Sequence, residues 1–250
     1  MRFYHRPRLP AIYTVHMEQF SHEDQQRIWD EEHQKPNVLL QMDSANASSG
    51  VERFWTFLSD LDTQNLKGVE MGCGKGRNVI WLSQKGIEMY GFDFSPAAIS
   101  EANQRAQNVG ATNARFKVQD ATVRWDYDSD YFDFAIDCFA STDIESEAGR
   151  MAAMSELHRV LKPGGYLFAY LLSTDDEFHK EMIKKSPAVE RNAFHHSTGK
   201  FERTFDEDDI KSQYRDFKML KSERLSKTAQ FFGKDYSCKH FWLVMRKPGG

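Results

Sequence analysis

The stretch Val69-Glu70-Met71-Gly72-Cys73-Gly74-Lys75-Gly76-Arg77-Asn78 constrains the chain more than any other. An apolar run ends in an acid, glycines alternate with other residues, and Val79-Ile80-Trp81-Leu82 then begins an apolar pattern of helical spacing. The order reads as a buried strand, a tight turn and the first turn of a helix. Glycine lets backbone approach a ligand laid across the strand end. The helix start adds unpaired N–H groups and a partial positive charge.

The spacing is G-x-G-x-G (Gly72, Gly74, Gly76), whereas a pyrophosphate-binding turn requires G-x-G-x-x-G. Glu70 just before it would repel a diphosphate and suits an ammonium or sulfonium ion. Taken alone, the glycines also fit a plain strand-to-helix turn, so the flanking chain matters. Strands are expected at Gly68–Met71, Ile87–Phe92, Arg115–Val118, Tyr131–Cys138 and Tyr166–Leu172. Between them lie helices from the glycine turn to Gln84, from Pro96 to Asn108 and from Ser146 to Leu161. Strand and helix alternate, as in a parallel sheet covered on both faces. Lys218–Leu225 and Cys238–Met245 read as closing strands, with a helix at Glu207–Asp216 capped by Asp206 before them.

Ahead of the core, Ser21–Glu32 reads as a helix with Ser21 as N-cap and Asp24 completing a capping box, stopped by Pro36. Asp43–Gly50 is small and polar, hence a loop, and Val51, Phe54, Trp55, Phe57, Leu58 and Leu61 then recur at helical spacing as core. Residues 1–16 show no clean period; they are a loosely packed lead-in, or Met17 is the true start.

As an ordered set, Glu70 to Gly76, Gly91-Phe92-Asp93-Phe94-Ser95, Val118-Gln119-Asp120-Ala121 and Leu157–Leu167 resemble the motifs of class I S-adenosylmethionine-dependent methyltransferases. The resemblance runs from about Gly68 to Leu172. It implies an α/β, Rossmann-like, seven-stranded sheet, mostly parallel with an antiparallel C-terminal strand and helices on both faces. It also implies S-adenosyl-L-methionine as cofactor, bound by Glu70, Gly72, Cys73, Gly74, Gly76, Arg77, Asp93, Phe94, Asp120, Ala121 and Asp137, with Trp29 from the helix before the core. Asp93 stands 21 positions after Gly72, where an acid accepts both ribose hydroxyls. Asp120 is placed for the adenine amine and the Ala121 N–H for a ring nitrogen. Arg77 either turns inward to the cofactor's carboxylate or faces solvent; Trp29 either touches the ligand or simply docks its helix. The closing helix and the Gly76-Arg77-Asn78 continuation are distantly similar to the small-molecule branch with tellurite-resistance and thiopurine methyltransferases.

The expected division is residues 1–48 as an N-terminal extension and covering helix, and 49–250 as the methyltransferase domain, with a lid-like insertion near 173–205. The expected reaction is in-line transfer of a methyl group to a small-molecule acceptor. A catalytic base is needed only if the acceptor keeps a proton. Candidates are Asp137, His33, His195 and His196, although surface or capping roles suit the histidines as well. Adjacent His195 and His196 do not project together, so no metal is expected. The strand end Asp137-Cys138-Phe139 lacks the Asn/Asp-Pro-Pro-aromatic set used on base amines and no Pro-Cys pair follows, so no nucleic acid partner is expected. A net charge of −4 agrees with that. No apolar run approaches the roughly 20 residues of a membrane helix, and the three scattered cysteines suit a reducing cytoplasm. Two other classes stand beside this reading: a cofactor-binding partner subunit with little activity, and a protein or RNA methyltransferase. A nicotinamide oxidoreductase is disfavoured by Glu70 and the glycine spacing. The oligomeric state is left open.

Overall fold

A computed structural model describes residues 20–35, 44–60, 65–187 and 189–249. The lead-in at 1–16, Pro36, Asp43 and the Leu61 position of the second helix lie outside the described residues.

In chain order the elements are α1 (His22–Gln34), α2 (Ser49–Ser59), β1 (Lys67–Met71), α3 (Arg77–Ser83), β2 (Glu88–Asp93), α4 (Pro96–Asn108) and β3 (Ala114–Val118). There follow β4 (Phe132–Cys138), α5 (Ala140–Asp143), α6 (Glu147–Val160), β5 (Leu161–Leu172) and α7 (Glu177–Lys185). The chain closes with β6 (Ala193–His195), β7 (Phe201–Arg203), α8 (Glu207–Gln213), β8 (Lys218–Phe231) and β9 (Lys234–Arg246). The seven-stranded sheet has the order β3-β2-β1-β4-β5-β9-β8. β1 to β5 run parallel, and β9 pairs antiparallel to both β5 and β8.

Alternation along the strands feeds two cores. On one face Phe134 and Ile136 of β4 join Val51, Phe54 and Leu58 of α2 and Val79 and Leu82 of α3. On the other, Phe132 and Ala135 join Met154 and Leu157 of α6 and Ile210 and Tyr214 of α8. Capping agrees with the residues at the helix starts: Ser21 and Asp206 each form a capping box, and Ser95 accepts from the Ala98 N–H just before Pro96.

Several boundaries differ from the sequence reading. α2 begins at Ser49, inside the expected loop. Lys162-Pro163-Gly164-Gly165 is drawn into β5, with a register shift opposite Phe132–Phe134 in place of a free turn. The expected insertion holds α7, and also a short hairpin, β6–β7, that the sequence does not announce. β8 and β9 extend well past the predicted strands and meet at Phe232-Gly233, both at positive φ, as a two-residue hairpin turn requires.

Candidate active site

A cavity opens at the carboxyl ends of β1, β2 and β4, where the sheet's connections leave room for a ligand. Its floor is Glu70, Gly72 and Cys73 with Lys75, Arg77 and Asn78 from the start of α3; one side is Phe92, Asp93 and Phe94 with Gln119, Asp120, Ala121 and Thr122. The opposite side is Cys138, Phe139, Ala140, Asp143, Ile144 and Glu145, and α1 closes it with His22, Trp29 and His33. The volume is about 120 Å³, below the roughly 300 Å³ at which small-molecule sites begin. A ligand of cofactor size therefore requires one wall to yield, and α1 is the wall held by side chains alone.

Glu70 is buried on the α3 side of β1. Asn78 Nδ2 donates to its Oε1 at 2.6 Å, and Ser48 N–H fixes that amide by donating to Asn78 Oδ1 at 2.8 Å. Glu70 Oε2 is buried with no hydrogen-bond partner. Burial pushes the carboxyl up to about 8 against the pull of Asn78. Asp93 accepts from Gly74 N–H (2.9 Å) and Ser95 N–H (3.0 Å), one bond to each oxygen, and burial raises it to about 6. Asp120 Oδ1 accepts from Thr122 N–H and Oγ1, and its Oδ2 meets His22 Nε2 at 2.8 Å. His22 Nδ1 lies 2.8 Å from Glu145 Oε1. An imidazole bonded at both nitrogens to carboxylates donates from both only as the cation. Burial lowers the His22 pKa, but Glu145 and then Asp120 outweigh it and the net shift is upward.

α1 is tied down along its length. Gln25, fully buried, donates from Nε2 to Gly199 C=O (3.0 Å) and accepts from Phe201 N–H (2.9 Å). Asp30 accepts from Ser95 Oγ and Ala97 N–H, Gln26 donates to Phe94 C=O, and Lys200 pairs with Glu32 at 3.1 Å while lying over the Trp29 ring.

The structure thus gathers Glu70, Gly72, Cys73, Arg77, Asp93, Phe94, Asp120, Ala121 and Trp29 around one cavity, with Arg77 turned toward it. It does not bring the others there. Asp137 shares a strand face with Ala135, so it points under α8 and away from the cavity. It accepts from Ser141 N–H and Oγ (3.0 and 2.5 Å) and from the Tyr214 hydroxyl (2.9 Å), and so ties β4 to α5 and α8. Neither a cofactor contact nor a base role is open to it. His195 packs edge-on to Phe20, and His196 pairs with Glu202 at 2.7 Å; both belong to the β6–β7 hairpin, and neither lines the cavity. Gly74 serves through its N–H to Asp93. Gly76 caps α3 at φ 78°, where a Cβ would come within 2.7 Å of the Phe116 ring, so glycine there permits α3 to pack rather than a ligand to approach. Gly72 does line the cavity, at φ 59°, and a Cβ would strike Ala140 at 2.7 Å. His33 is on the wall, as one of the candidate bases.

His22, Asp143 and Glu145 also line the cavity, and sequence reasoning missed them. His22 lies 98 and 123 positions from the acids it bridges, so only folding reveals the pairing. The one signal was local: a histidine directly after a helix N-cap.

Residues 62–237 match the family described as Methyltransferase domain, and the chain belongs to that family. Among solved structures, an S-adenosylmethionine-dependent methyltransferase of Methanosarcina mazei superposes with a TM-score of 0.68 at 21% identity, covering 78% of this chain and 98% of its own. The Burkholderia thailandensis 1,6-didemethyltoxoflavin-N1-methyltransferase, with bound 1,6-didemethyltoxoflavin and S-adenosylhomocysteine, gives 0.58 at 15% identity, covering 80% and 79%. By sequence, Hemagglutinin 1 of Eikenella corrodens is 26% identical over 189 residues, which is 73% of this chain. A sterol 4-C-methyltransferase of Caenorhabditis elegans is 24% identical over 119 residues, 48% of this chain. The chain spans 55% and 35% of those two relatives' own length. By fold and family it belongs to the class I S-adenosylmethionine-dependent methyltransferases, whose cofactor is S-adenosylmethionine.

Proposed function

We propose that this chain binds S-adenosylmethionine in the cavity under α1 and transfers its methyl group to a small-molecule acceptor. The observation that carries this reading is the set of buried polar atoms on the cavity wall with no hydrogen-bond partner among the described residues: Glu70 Oε2, Trp29 Nε1 and Gln119 Nε2. Buried polar groups are almost always bonded, so a wall of open ones fits a polar occupant.

The residues suit this cofactor. Glu70 offers its open oxygen to the ammonium group, with Lys75 and Arg77 on the same floor for the carboxylate. Asp93 keeps one lone pair on each oxygen after its backbone bonds, which matches two vicinal hydroxyls. Asp120 has three of its four acceptor positions engaged, so adenine finds there one position for its amine, with the Gln119 Nε2–H and the Ala121 N–H for ring nitrogens. The cofactor supplies an activated methyl on a sulfonium sulfur; the chain's residues orient the partners for in-line displacement and exclude water. A small acceptor is favoured by the cover that α1, with His22, Trp29 and His33, lays over the cavity. We take α1 and the β6–β7 hairpin, joined through Gln25 and Lys200, as a single cover over the site.

Calorimetric titration with S-adenosylmethionine, S-adenosylhomocysteine and NADH tests the reading. Binding of the first two and not the third is expected, and Asp93→Ala should weaken S-adenosylhomocysteine by roughly tenfold or more, the worth of a lost pair of hydrogen bonds to a charged group. Unchanged affinity in that variant would sink the ribose assignment. Binding of NADH alone would overturn the whole reading. Binding without turnover across broad acceptor panels would favour a partner subunit.

A further inference from the structure

Most carboxylates on the cavity wall are already engaged: Glu70 by Asn78, Asp93 by Gly74 and Ser95, Asp120 and Glu145 by His22. Asp143 is different. Its Oδ1 is buried without a hydrogen-bond partner, and it forms no ion pair among the described residues. The side chain ends the four-residue helix α5, set by Phe139 at φ 69° and by Ala140 seated against Gly72. α5 therefore presents Asp143 beside Ile144 on the side of the cavity facing α1, away from the Glu70 floor.

We propose that Asp143 selects the methyl acceptor, its Oδ1 receiving a hydrogen bond from an N–H or O–H on a small, uncharged or cationic acceptor molecule. This rests on the methyl-transfer reading of the cavity. Three features set the ligand class. An open buried acceptor atom calls for a donor. An anionic acceptor such as a carboxylate or thiolate carries no N–H or O–H and would leave Oδ1 unpaired, beside Asp120 and Glu145 already engaged by His22. Trp29, Phe139 and Ile144 give the same cavity apolar surface, which favours a compact ring carrying the donor. Burial, reinforced by nearby Glu202 and opposed by Lys200, holds the Asp143 carboxyl well above the usual range. The role requires no bond to be made or broken at Asp143.

The test uses the full chain saturated with S-adenosylhomocysteine and five probes: catechol, benzylamine and histamine as donors, benzoate and thiophenolate as anions. Binding is measured by calorimetry and saturation-transfer NMR. At least one donor probe should bind, each anion should bind about tenfold more weakly, and Asp143→Ala should weaken the donor probe by about tenfold, the cost of leaving its N–H or O–H without a buried partner. S-adenosylhomocysteine affinity should stay within about threefold in the variant, since no cofactor contact is assigned to Asp143. Loss of S-adenosylhomocysteine by Asp143→Ala would place Asp143 in the cofactor site and overturn the proposal. Equal binding of donors by wild type and variant, binding of anions in preference, or no donor binding at all overturns the proposal. Failure of the wild type to bind S-adenosylhomocysteine appears before any probe is added, and it overturns the methyl-transfer reading itself.

Discussion

Glu70 holds its proton more tightly than any exposed glutamate, because burial raises it to about 8 while Asn78 supplies a single hydrogen bond. The sign follows from linkage. The folded chain retains a proton that the unfolded chain releases near 4.5, so this group's contribution to stability is full below that value and is lost as pH rises to about 8. A cationic ligand beside Glu70 displaces the proton, so ligand affinity should move the opposite way. Asp93 is raised to about 6 and His22 lies above its ordinary 6.5, so Glu70 shares the window up to about 8 with His22, and the Glu70 variant isolates its part. Over that window the Kd for S-adenosylhomocysteine should fall by up to roughly tenfold per pH unit, the limit for one linked proton. Calorimetry at three pH values reads it, and Glu70→Gln should flatten the slope; a flat wild-type profile would remove Glu70 from the ammonium site. Residues of this kind were legible because a strand end, a turn and a helix start are contiguous in sequence. Asp137 was misread for a related reason: strand alternation sends it under α8 and leaves Cys138 on the cavity side, and proximity to the motif concealed the parity.

At the level of elements, α1 is the part most dependent on a few bonds. Gln25 contributes both ends of its amide to the β6–β7 hairpin. Gln25→Ala leaves Gly199 C=O and Phe201 N–H unpaired, at about 1–3 kcal/mol for each group while it stays buried. The loss is capped by the free energy of α1 docking, since beyond that point the helix detaches and water satisfies both groups. The expected signature is therefore local: faster amide exchange in α1 and a faster S-adenosylhomocysteine off-rate, with β1 and β4 exchange unchanged. Global loss of protection would instead make α1 part of the central folding unit. The hairpin that anchors it was not legible because strands of three residues carry no measurable period. The long β8–β9 ribbon was read short for a different reason. Past Leu225 it extends beyond β5, and its short apolar face of Ala229, Phe231, Tyr236 and Cys238, packed on Phe178 of α7, is interleaved with exposed Lys227, Thr228, Gln230, Lys234 and Asp235.

Across the whole molecule, the mostly parallel sheet and the helix placement were legible because the central strands β1, β4 and β5 are largely buried and the elements are punctuated by glycine, proline or a cap. What the sequence could not convey was how distant parts meet over the cavity: α1, α5 and the hairpin come from three separated regions, and only packing puts His22, Asp143 and Lys200 over one site. That assembly has a thermodynamic consequence. A ligand bound between sheet and cover stabilises every element whose opening requires its release. At about a hundredfold Kd, S-adenosylhomocysteine should add about 2.7 kcal/mol, which corresponds to a rise of roughly 5–10 °C in Tm for a domain of this size. Amide exchange measured under the same conditions separates two architectures. If α1 gains protection together with the carboxyl ends of β1, β2 and β4, the ligand lies beneath the helix and must lift it to leave. If Tm rises while α1 exchanges as in the free protein, the ligand enters without α1, and the narrow cavity opens instead on the α5 side.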